Sequence, residues 1–308
     1  NYVDESQQEH QLLINELFIR LVENKVFPED RKIIDLLNRD WKETRRAIVD
    51  SHGVRLKPDA CFKIGDTIYW VEVDRGTEKL SHIKQKFSLY QKVIFHQDNE
   101  RKNVLLFFCF NGYKFSEKVF RKRINDIRKI AINKLNMYFG EKLEVYVDEY
   151  EKLVDILIER MIRKKDSDAL VSFAKELEAF AVEKGYIGKA VKEPASNPVK
   201  SEFKADAWFQ YQTPASKQFF IIMMLNGMPL SAVHKVREVY GYCYQFESLT
   251  KVSLKAIIVA DQLIDLIDLN QLYSCIREVG FFTTLDKWKD EKSFYRWYRG
   301  KLKVEVLG

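Results

Sequence analysis

The stretch from Arg55 to Gly76 constrains the fold of this chain most, because it carries a β-hairpin with acidic residues at its ends. A Gly65-Asp66 pair separates two strand-like runs, and a two-residue turn of this kind favours a hairpin. Asp59 begins the first strand, and Glu72 and Asp74 end the second. Since an antiparallel return brings those ends together, we expect the three carboxylates to converge at one sheet edge. Side chains two residues apart share a face, so the last two acids lie together.

Converging carboxylates repel one another unless a positive group lies among them. Hard divalent cations such as Mg²⁺ or Mn²⁺ prefer oxygen ligands of this type. We therefore expect a metal site formed by Asp59, Glu72 and Asp74. An alternative stays open for each acid: Asp59 also suits a turn cap, Glu72 a surface position, and Asp74 a turn before the next helix.

Composition limits the class of protein. At 308 residues the chain is long enough for two domains, and a hydrophobic content of 46% is that of a packed globular protein. A net charge of +6 allows a nucleic-acid partner without demanding one. No cysteine or histidine has zinc-ligand spacing, and no apolar run approaches the length of a membrane span. We expect a cytoplasmic protein with reduced cysteines, and, since residue 1 is Asn, a segment that precedes it.

Hydrophobic spacing predicts helices and strands in the proportions of an α/β protein, with a mixed sheet flanked by helices. The predicted helices span residues 6–23, 31–38, 78–95, 116–137, 151–163, 167–184 and 262–278. The predicted strands span residues 41–49, the hairpin, 103–110, 143–147, 218–225, 254–260 and 281–285. The boundaries that follow are 1–165 for a first domain, 166–200 for a helix and linker, and 201–308 for a second domain.

The second half of the chain repeats the first. Lys57-Pro-Asp-Ala-Cys-Phe is echoed by Lys204-Ala-Asp-Ala-Trp-Phe, and a helical Tyr240 follows where the first half has Tyr90. Ile222-Met223-Met224 stands in place of the acidic strand end. We expect an internal duplication whose second copy is degenerate and keeps only Asp206 from the acidic set.

Two basic segments are candidates for nucleic-acid contact. One face of the helix predicted over 116–137 carries Lys118, Arg121, Lys122, Arg123, Arg128 and Lys129. Near the C-terminus, Trp288 and other aromatic residues alternate with lysines and arginines, a mixture suited to base stacking and phosphate contact. Each also fits a simpler interpretation, a solvated charged face for the first and ordinary packing for the second.

The hairpin motif resembles a known family. Pro58-Asp59, the hairpin and Glu72-Val73-Asp74 are similar to the core of the PD-(D/E)xK nucleases, which have a restriction-endonuclease-like fold. The longer string Glu72 to Glu78, with Lys57 to Ala60, His10, Lys86 and Tyr90, resembles the replication-relaxation family of plasmid and mobile-element proteins. The resemblance covers about residues 8–110. It implies a role in plasmid replication, relaxation or transfer, with DNA and proteins of the element as partners.

The resemblance also implies roles for individual residues. Asp59 and Glu72 would hold Mg²⁺ or Mn²⁺ in an active nuclease, and a lysine would stabilise charge on the phosphate. The superfamily places that lysine where this chain has Asp74, so Lys84 or Lys86 must supply it. Lys86 is favoured because Tyr90, one turn later, marks an inward face.

Lys86 therefore joins Asp59 and Glu72 as a predicted catalytic residue. The predicted DNA contacts are Arg75, Lys84, Arg121, Lys122 and Arg128. Three hypotheses remain open: a metal-dependent DNA nuclease, a catalytically inactive pseudo-nuclease that binds DNA or a protein, and a scaffold without DNA contact.

Overall fold

The structure is a computed structural model. It describes residues 5–24, 48–49, 53–64, 67–96, 102–111, 115–140, 142–163, 166–191, 199, 205–212, 217–225, 229–260, 280–298 and 301–305. The chain divides into two compact units. The first unit contains Asn1–Arg163 and Pro229–Ser231, and the second contains Lys164–Met228 and Ala232–Gly308.

The described residues of the first unit form four α-helices, one short 3₁₀ helix (Asn136–Tyr138) and six strands. They are α1 (Glu5–Glu23), β1 (Ile48–Val49), β2 (Arg55–Leu56), β3 (Ala60–Ile64), β4 (Thr67–Asp74), α2 (Leu80–His96), β5 (Lys102–Cys109), α3 (Glu117–Leu135), β6 (Leu143–Glu149) and α4 (Tyr150–Arg163). The strands β1 and β2 form a separate antiparallel pair. The predicted hairpin is β3 and β4, although its Gly65-Asp66 turn and the helix predicted over 31–38 lie outside the described residues.

The four strands β3-β4-β5-β6 form one mixed sheet, antiparallel at the hairpin and parallel thereafter. Alternate residues of β4 point to opposite faces. Val71 and Val73 pack with α1 and α4, while Trp70 and Glu72 face α2. The predicted continuous apolar strand is β5, which is buried on both faces because each face carries a helical layer.

The second unit carries a seven-stranded sheet. Its described elements are α5 (Asp166–Glu183), β7 (Ile187–Val191), β8 (Ala207–Gln212), β9 (Lys217–Leu225), α6 (Leu230–Thr250), β10 (Ser253–Ala260), β11 (Gly280–Thr284), α7 (Leu285–Glu291), β12 (Phe294–Tyr298) and β13 (Lys301–Glu305). The strand order is β13-β12-β11-β10-β9-β8-β7, with β9, β10 and β11 parallel to one another. The helix predicted over 262–278 lies outside the described residues.

The two sheets share a common arrangement of four strands. In each, an antiparallel hairpin is followed by two parallel strands, and a long helix connects the second strand to the third. The registers agree as well, since Ala60 pairs with Val71 as Ala207 pairs with Ile222. The topology is the one that an internal duplication predicts.

Two details of the sequence interpretation are wrong. The stretch 185–200 is not simply a linker, because β7 lies within it and extends the second sheet beyond β8. The helix α5 belongs to the second unit, where Phe173 and Leu177 pack into the same core cluster as Trp288. Trp288 is 1% exposed, so it serves packing and is not available to stack on a base.

Candidate functional site

Asp59 lies just before β3, where the hairpin brings it opposite the end of β4. One carboxylate oxygen, Oδ2, accepts the backbone N–H of Val73 at 2.9 Å. The other, Oδ1, lies 3.1 Å from Nε2 of His10 on α1. Burial opposes ionisation, but the hydrogen bond with His10 and the charge of Lys86 outweigh it and hold the pKa of Asp59 below its usual value.

Glu72 is the buried centre of the site, with 1% of its surface exposed. Its Oε2 lies 2.8 Å from Nζ of Lys86 on α2, and its Oε1 accepts the hydroxyl of Tyr90 at 2.7 Å. The two helical residues are four apart, so they lie on one face and reach the same carboxylate. The lysine is 30% exposed and also pairs with Glu78 at 3.3 Å.

The electrostatics of this cluster are tightly linked. Burial, together with the negative charge of Asp59, raises the pKa of Glu72 to about 8, although Lys86 opposes the shift. Burial would lower the pKa of Lys86, but the charges of Glu72 and Asp59 outweigh it and raise that pKa above its usual value. Burial and the same glutamate raise the pKa of Tyr90, which therefore stays a hydrogen-bond donor. The ammonium group of Lys86 is thus the positive charge that the converging acids require.

Asp74 shares the face of Glu72, as expected, but belongs to a different contact. Arg123 on α3 donates two hydrogen bonds to its carboxylate, from Nε to Oδ2 at 2.7 Å and from Nη2 to Oδ1 at 3.0 Å. The hydrogen bond and charge of Asp74 raise the pKa of Arg123 above its usual value. Oδ1 also accepts the backbone N–H of Gly76 at 3.2 Å, which is the turn-shaping role left open by the sequence.

The turn after β4 is fixed by two further features, at Arg75 and at Gly76. Arg75 is 8% exposed, and its Nη1 lies 2.8 Å from Glu9 on α1. Gly76 has a φ of 76°, a region that favours glycine, and a Cβ there would meet the Phe115 ring at 2.4 Å. Within the string Glu72 to Glu78, the two glutamates contact α2, Asp74 contacts α3 and Arg75 contacts α1, so the turn joins the sheet to three helices.

The residues fit a divalent cation poorly as they are arranged. Both oxygens of each acid already face a donor from the protein: His10 and a backbone N–H at Asp59, Lys86 and Tyr90 at Glu72, Arg123 at Asp74. Among the described residues there is no group of three or more His, Cys, Asp or Glu side chains placed to hold a metal ion. A cation at Glu72 would have to displace the lysine that neutralises it.

The structure also locates the predicted DNA contacts. Lys84 and Lys122 are exposed, and Arg121 is half-buried beside Glu117. Arg128 was assigned to the outer face of α3, which is wrong: it is 1% exposed and binds the Val147 carbonyl and Asp148. Arg123 was assigned to the same outer face and instead turns inward to its aspartate.

The inward orientation of these two arginines is what sequence reasoning missed. Their acidic partners are far away in the chain, so local spacing does not reveal the pairs. The helical spacing does contain one signal that Arg128 faces inward. It lies four residues after the buried Ile124 and three before the buried Ala131, so the three share one helix face.

The second unit repeats the frame of the site without its charges. Oδ2 of Asp206 accepts the backbone N–H of Met224 at 2.8 Å, as Asp59 does from Val73. The strand pairing makes Met223 the equivalent of Glu72 and Leu225 the equivalent of Asp74, which corrects the sequence alignment by one residue. Both are buried and face α6.

The helix equivalence needs the same kind of correction. The buried positions of α2 are Ile83, Phe87, Tyr90, Val93 and Ile94, and those of α6 with the same spacing are Ala232, Val236, Val239, Tyr242 and Cys243. Tyr90 therefore corresponds to Val239 rather than to Tyr240. Lys86 corresponds by the same spacing to Lys235, which is exposed.

The hairpin, the buried acid and its helical lysine lie within one continuous part of the chain, which can be compared with known families. Residues 2–106 match the Replication-relaxation family. The Replication-relaxation match thus includes α1, the hairpin, α2 and most of β5, with the lysine and the tyrosine that contact the Glu72 side chain. No curated protein and no solved structure matches the chain. Within the described part of the chain, no helix is both long enough and apolar enough to cross a membrane.

Proposed function

We propose that this protein associates with DNA and acts in the replication or relaxation of a plasmid or other mobile element. The match of residues 2–106 to the Replication-relaxation family supports this assignment. The shared region contains the hairpin motif together with its contacts to α1 and α2, so the similarity reaches the residues that define the site.

We further propose that the protein works by binding DNA rather than by cutting it. The observation that carries this proposal is the engagement of Glu72, whose two oxygens lie 2.8 Å from Lys86 and 2.7 Å from Tyr90. Because both oxygens of this buried carboxyl group already contact a donor of the protein, neither is left for a divalent cation. The acidic cluster then stabilises the junction of β3, β4, α1 and α2, which is the pseudo-nuclease interpretation.

A metal-dependent nuclease is the second candidate, and one specific observation favours it. The three residues predicted to be catalytic, Asp59, Glu72 and Lys86, are brought together at one sheet edge, although they come from a strand start, a strand end and a helix. The cofactor would be Mg²⁺ or Mn²⁺, and proteins of the element would be further partners.

One assay separates the two candidates. The full chain is incubated with supercoiled plasmid, linear duplex and single-stranded DNA in Mg²⁺ or Mn²⁺, beside Glu72→Gln. Glu144→Gln is the matched control, because Glu144 is another buried acid but pairs with Lys102 at the opposite end of the strands. We expect DNA binding without cleavage by all three proteins.

Cleavage by the wild type and the control that disappears in Glu72→Gln would establish the nuclease instead. Absence of DNA binding even at low salt would contradict both candidates, since phosphate contacts are strongest there.

A further inference from the structure

The two helical layers of the first unit differ sharply in charge. The layer formed by α2 and α3 carries ten lysines and arginines and only two acidic residues. The layer formed by α1 and α4, on the other face of the sheet, carries four lysines and arginines and seven acidic residues. The net charge of the chain is modest, but positive and negative charges are strongly separated between the two faces of the first sheet.

Part of the basic charge of α2 and α3 is already used inside the protein. Arg128, Arg123 and Lys86 turn toward the sheet and bind Asp148, Asp74 and Glu72. The remaining seven cationic side chains are those that solvent reaches on the outer face of the layer. They are Lys84, Lys92, Lys118, Arg121, Lys122, Lys129 and Lys134.

Few acidic residues of the protein pair with the cationic side chains of this outer face. Lys122 pairs with Asp126 and is nevertheless 77% exposed, and Arg121 lies 3.9 Å from Glu117. Lys118 and Lys129 are exposed and form no ion pair among the described residues. A like-charged surface with so few internal partners has its charge available for an external polyanion.

The opposite layer would repel the same polyanion. Glu151 and Asp155 on α4 are 64% and 68% exposed, and their one cationic partner on α1 is Arg20, which is 25% exposed. Glu16 and Glu23 on α1 are also exposed. Electrostatic attraction therefore orients the first unit in one way only, with α2 and α3 toward the polyanion.

We propose that the outer face of α2 and α3 is the surface that contacts the phosphate backbone of duplex DNA. This inference rests on the proposed DNA association and specifies how it is made. The helix α3 has 19 residues and is about 28 Å long, which corresponds to about eight base pairs of duplex rise. Lys118, Lys122 and Lys129 follow its length at intervals of about 6 and 10 Å, so they can meet successive phosphates of one duplex.

The surface offers lysines and few groups able to read bases, so the binding should be insensitive to sequence. It also excludes two of the predicted contacts. Arg75 is held by Glu9 on the acidic side, and Arg128 is buried. Lys84, Arg121 and Lys122 remain, and Lys118 and Lys129 are added.

The test measures the binding of mixed-sequence duplex DNA to the full chain by fluorescence anisotropy, across a range of salt concentrations. The variant is Lys118→Gln/Lys129→Gln. Its matched control is Lys175→Gln/Lys189→Gln, which removes two exposed lysines from the second unit and changes the net charge equally. Thermal unfolding verifies that each protein is folded.

We expect the first pair to weaken binding roughly 10- to 60-fold at about 0.1 M salt and to reduce the salt slope by about two. The control should change affinity less than about twofold, and two unrelated duplex sequences should bind alike. Equal weakening by both pairs, or no change in either, would overturn the assignment of the surface while leaving DNA association intact. A wild type that does not bind at the lowest salt would overturn the proposed function and this inference together.

Discussion

The ends of the two hairpins are built on the same frame and differ in what is buried there. In both, an aspartate before the first strand accepts a backbone N–H from the second, at 2.9 Å for Asp59 and 2.8 Å for Asp206. The first hairpin then buries Glu72 against Lys86, whereas the second places Met223 in an apolar core.

This difference distinguishes the residue that the fold requires in both units from the residues that are present only in the first. The aspartate belongs to the fold, because it performs the same backbone contact where no acidic cluster exists. The buried acids do not, because the second unit forms the same four-stranded arrangement with Met223 and Leu225 in their places. Each buried acid in turn requires its own cation, so Lys86 and Arg123 are needed only in the first unit.

The largest effect should come from Arg123→Met. The change leaves Asp74, whose side chain is fully buried, without its bidentate partner, so we expect a loss of about 3–5 kcal/mol in the free energy of unfolding. Denaturant unfolding of the full chain measures it. Adding Asp74→Leu, which copies Leu225, should recover most of the loss. Lys122→Met is the matched control, with an expected change within about 0.5 kcal/mol. If Asp74→Leu did not recover stability, positions 74 and 225 would not be structurally equivalent.

The next effect should come from Lys86→Met. Glu72 then lies in an apolar site without a cation, and we expect a loss of about 2–4 kcal/mol near neutral pH. The loss should grow as pH rises above about 8, where Lys86 lets the wild type ionise Glu72 while the variant must keep it protonated. Lys84→Met, on the same helix and exposed, should be nearly neutral. If Lys86→Met and Lys84→Met had equal effects on stability, the contact between Lys86 and Glu72 would not behave as a buried ion pair.

A smaller effect should follow from removing the shared aspartate. Asp59→Ala and Asp206→Ala each delete a hydrogen bond to a strand N–H, which is expected to cost about 1 kcal/mol in either unit, and Asp59→Ala also removes the contact with His10. Hydrogen exchange at the Val73 and Met224 amides reports the two losses separately. Protection lost at Val73 but retained at Met224 would contradict a common structural role.

The last effect is a pH dependence, expressed as a slope per pH unit and not as the loss caused by one substitution. Because the folded protein raises the pKa of Glu72 to about 8, above its usual 4.5, the folded state holds a proton that the unfolded chain releases. The stability that this group contributes is present below the lower value and is lost as pH rises toward the higher one, by up to about 1.4 kcal/mol per pH unit. Unfolding free energies at pH 5 to 8 should slope downward in the wild type and less so in Glu72→Gln. Parallel slopes would contradict the raised pKa.

The sequence predicted the frame of the first site because its signals are local. The hairpin, the shared face of Glu72 and Asp74, and the choice of Lys86 over Lys84 all follow from periods of two and 3.6 residues. The lysine does contact the glutamate, and Lys84 is exposed.

The partners of Asp74 and Asp148 could not be predicted in this way. Arg123 and Arg128 reach them from 49 and 20 residues away, and a charged residue on a helix is normally interpreted as facing solvent. The one-residue misalignment of the repeat has a similar origin. The two hairpins differ in length, so matching residues by sequence drifts until the strand pairing fixes the register.

We propose that the protein's own Lys86 occupies the place at Glu72 that a divalent cation would take. Titration of the full chain with Mn²⁺, followed by electron paramagnetic resonance, tests it directly when the wild type is compared with Glu72→Gln. The account predicts the same binding curve for both proteins. A single Mn²⁺ site that the wild type has and Glu72→Gln lacks would contradict it.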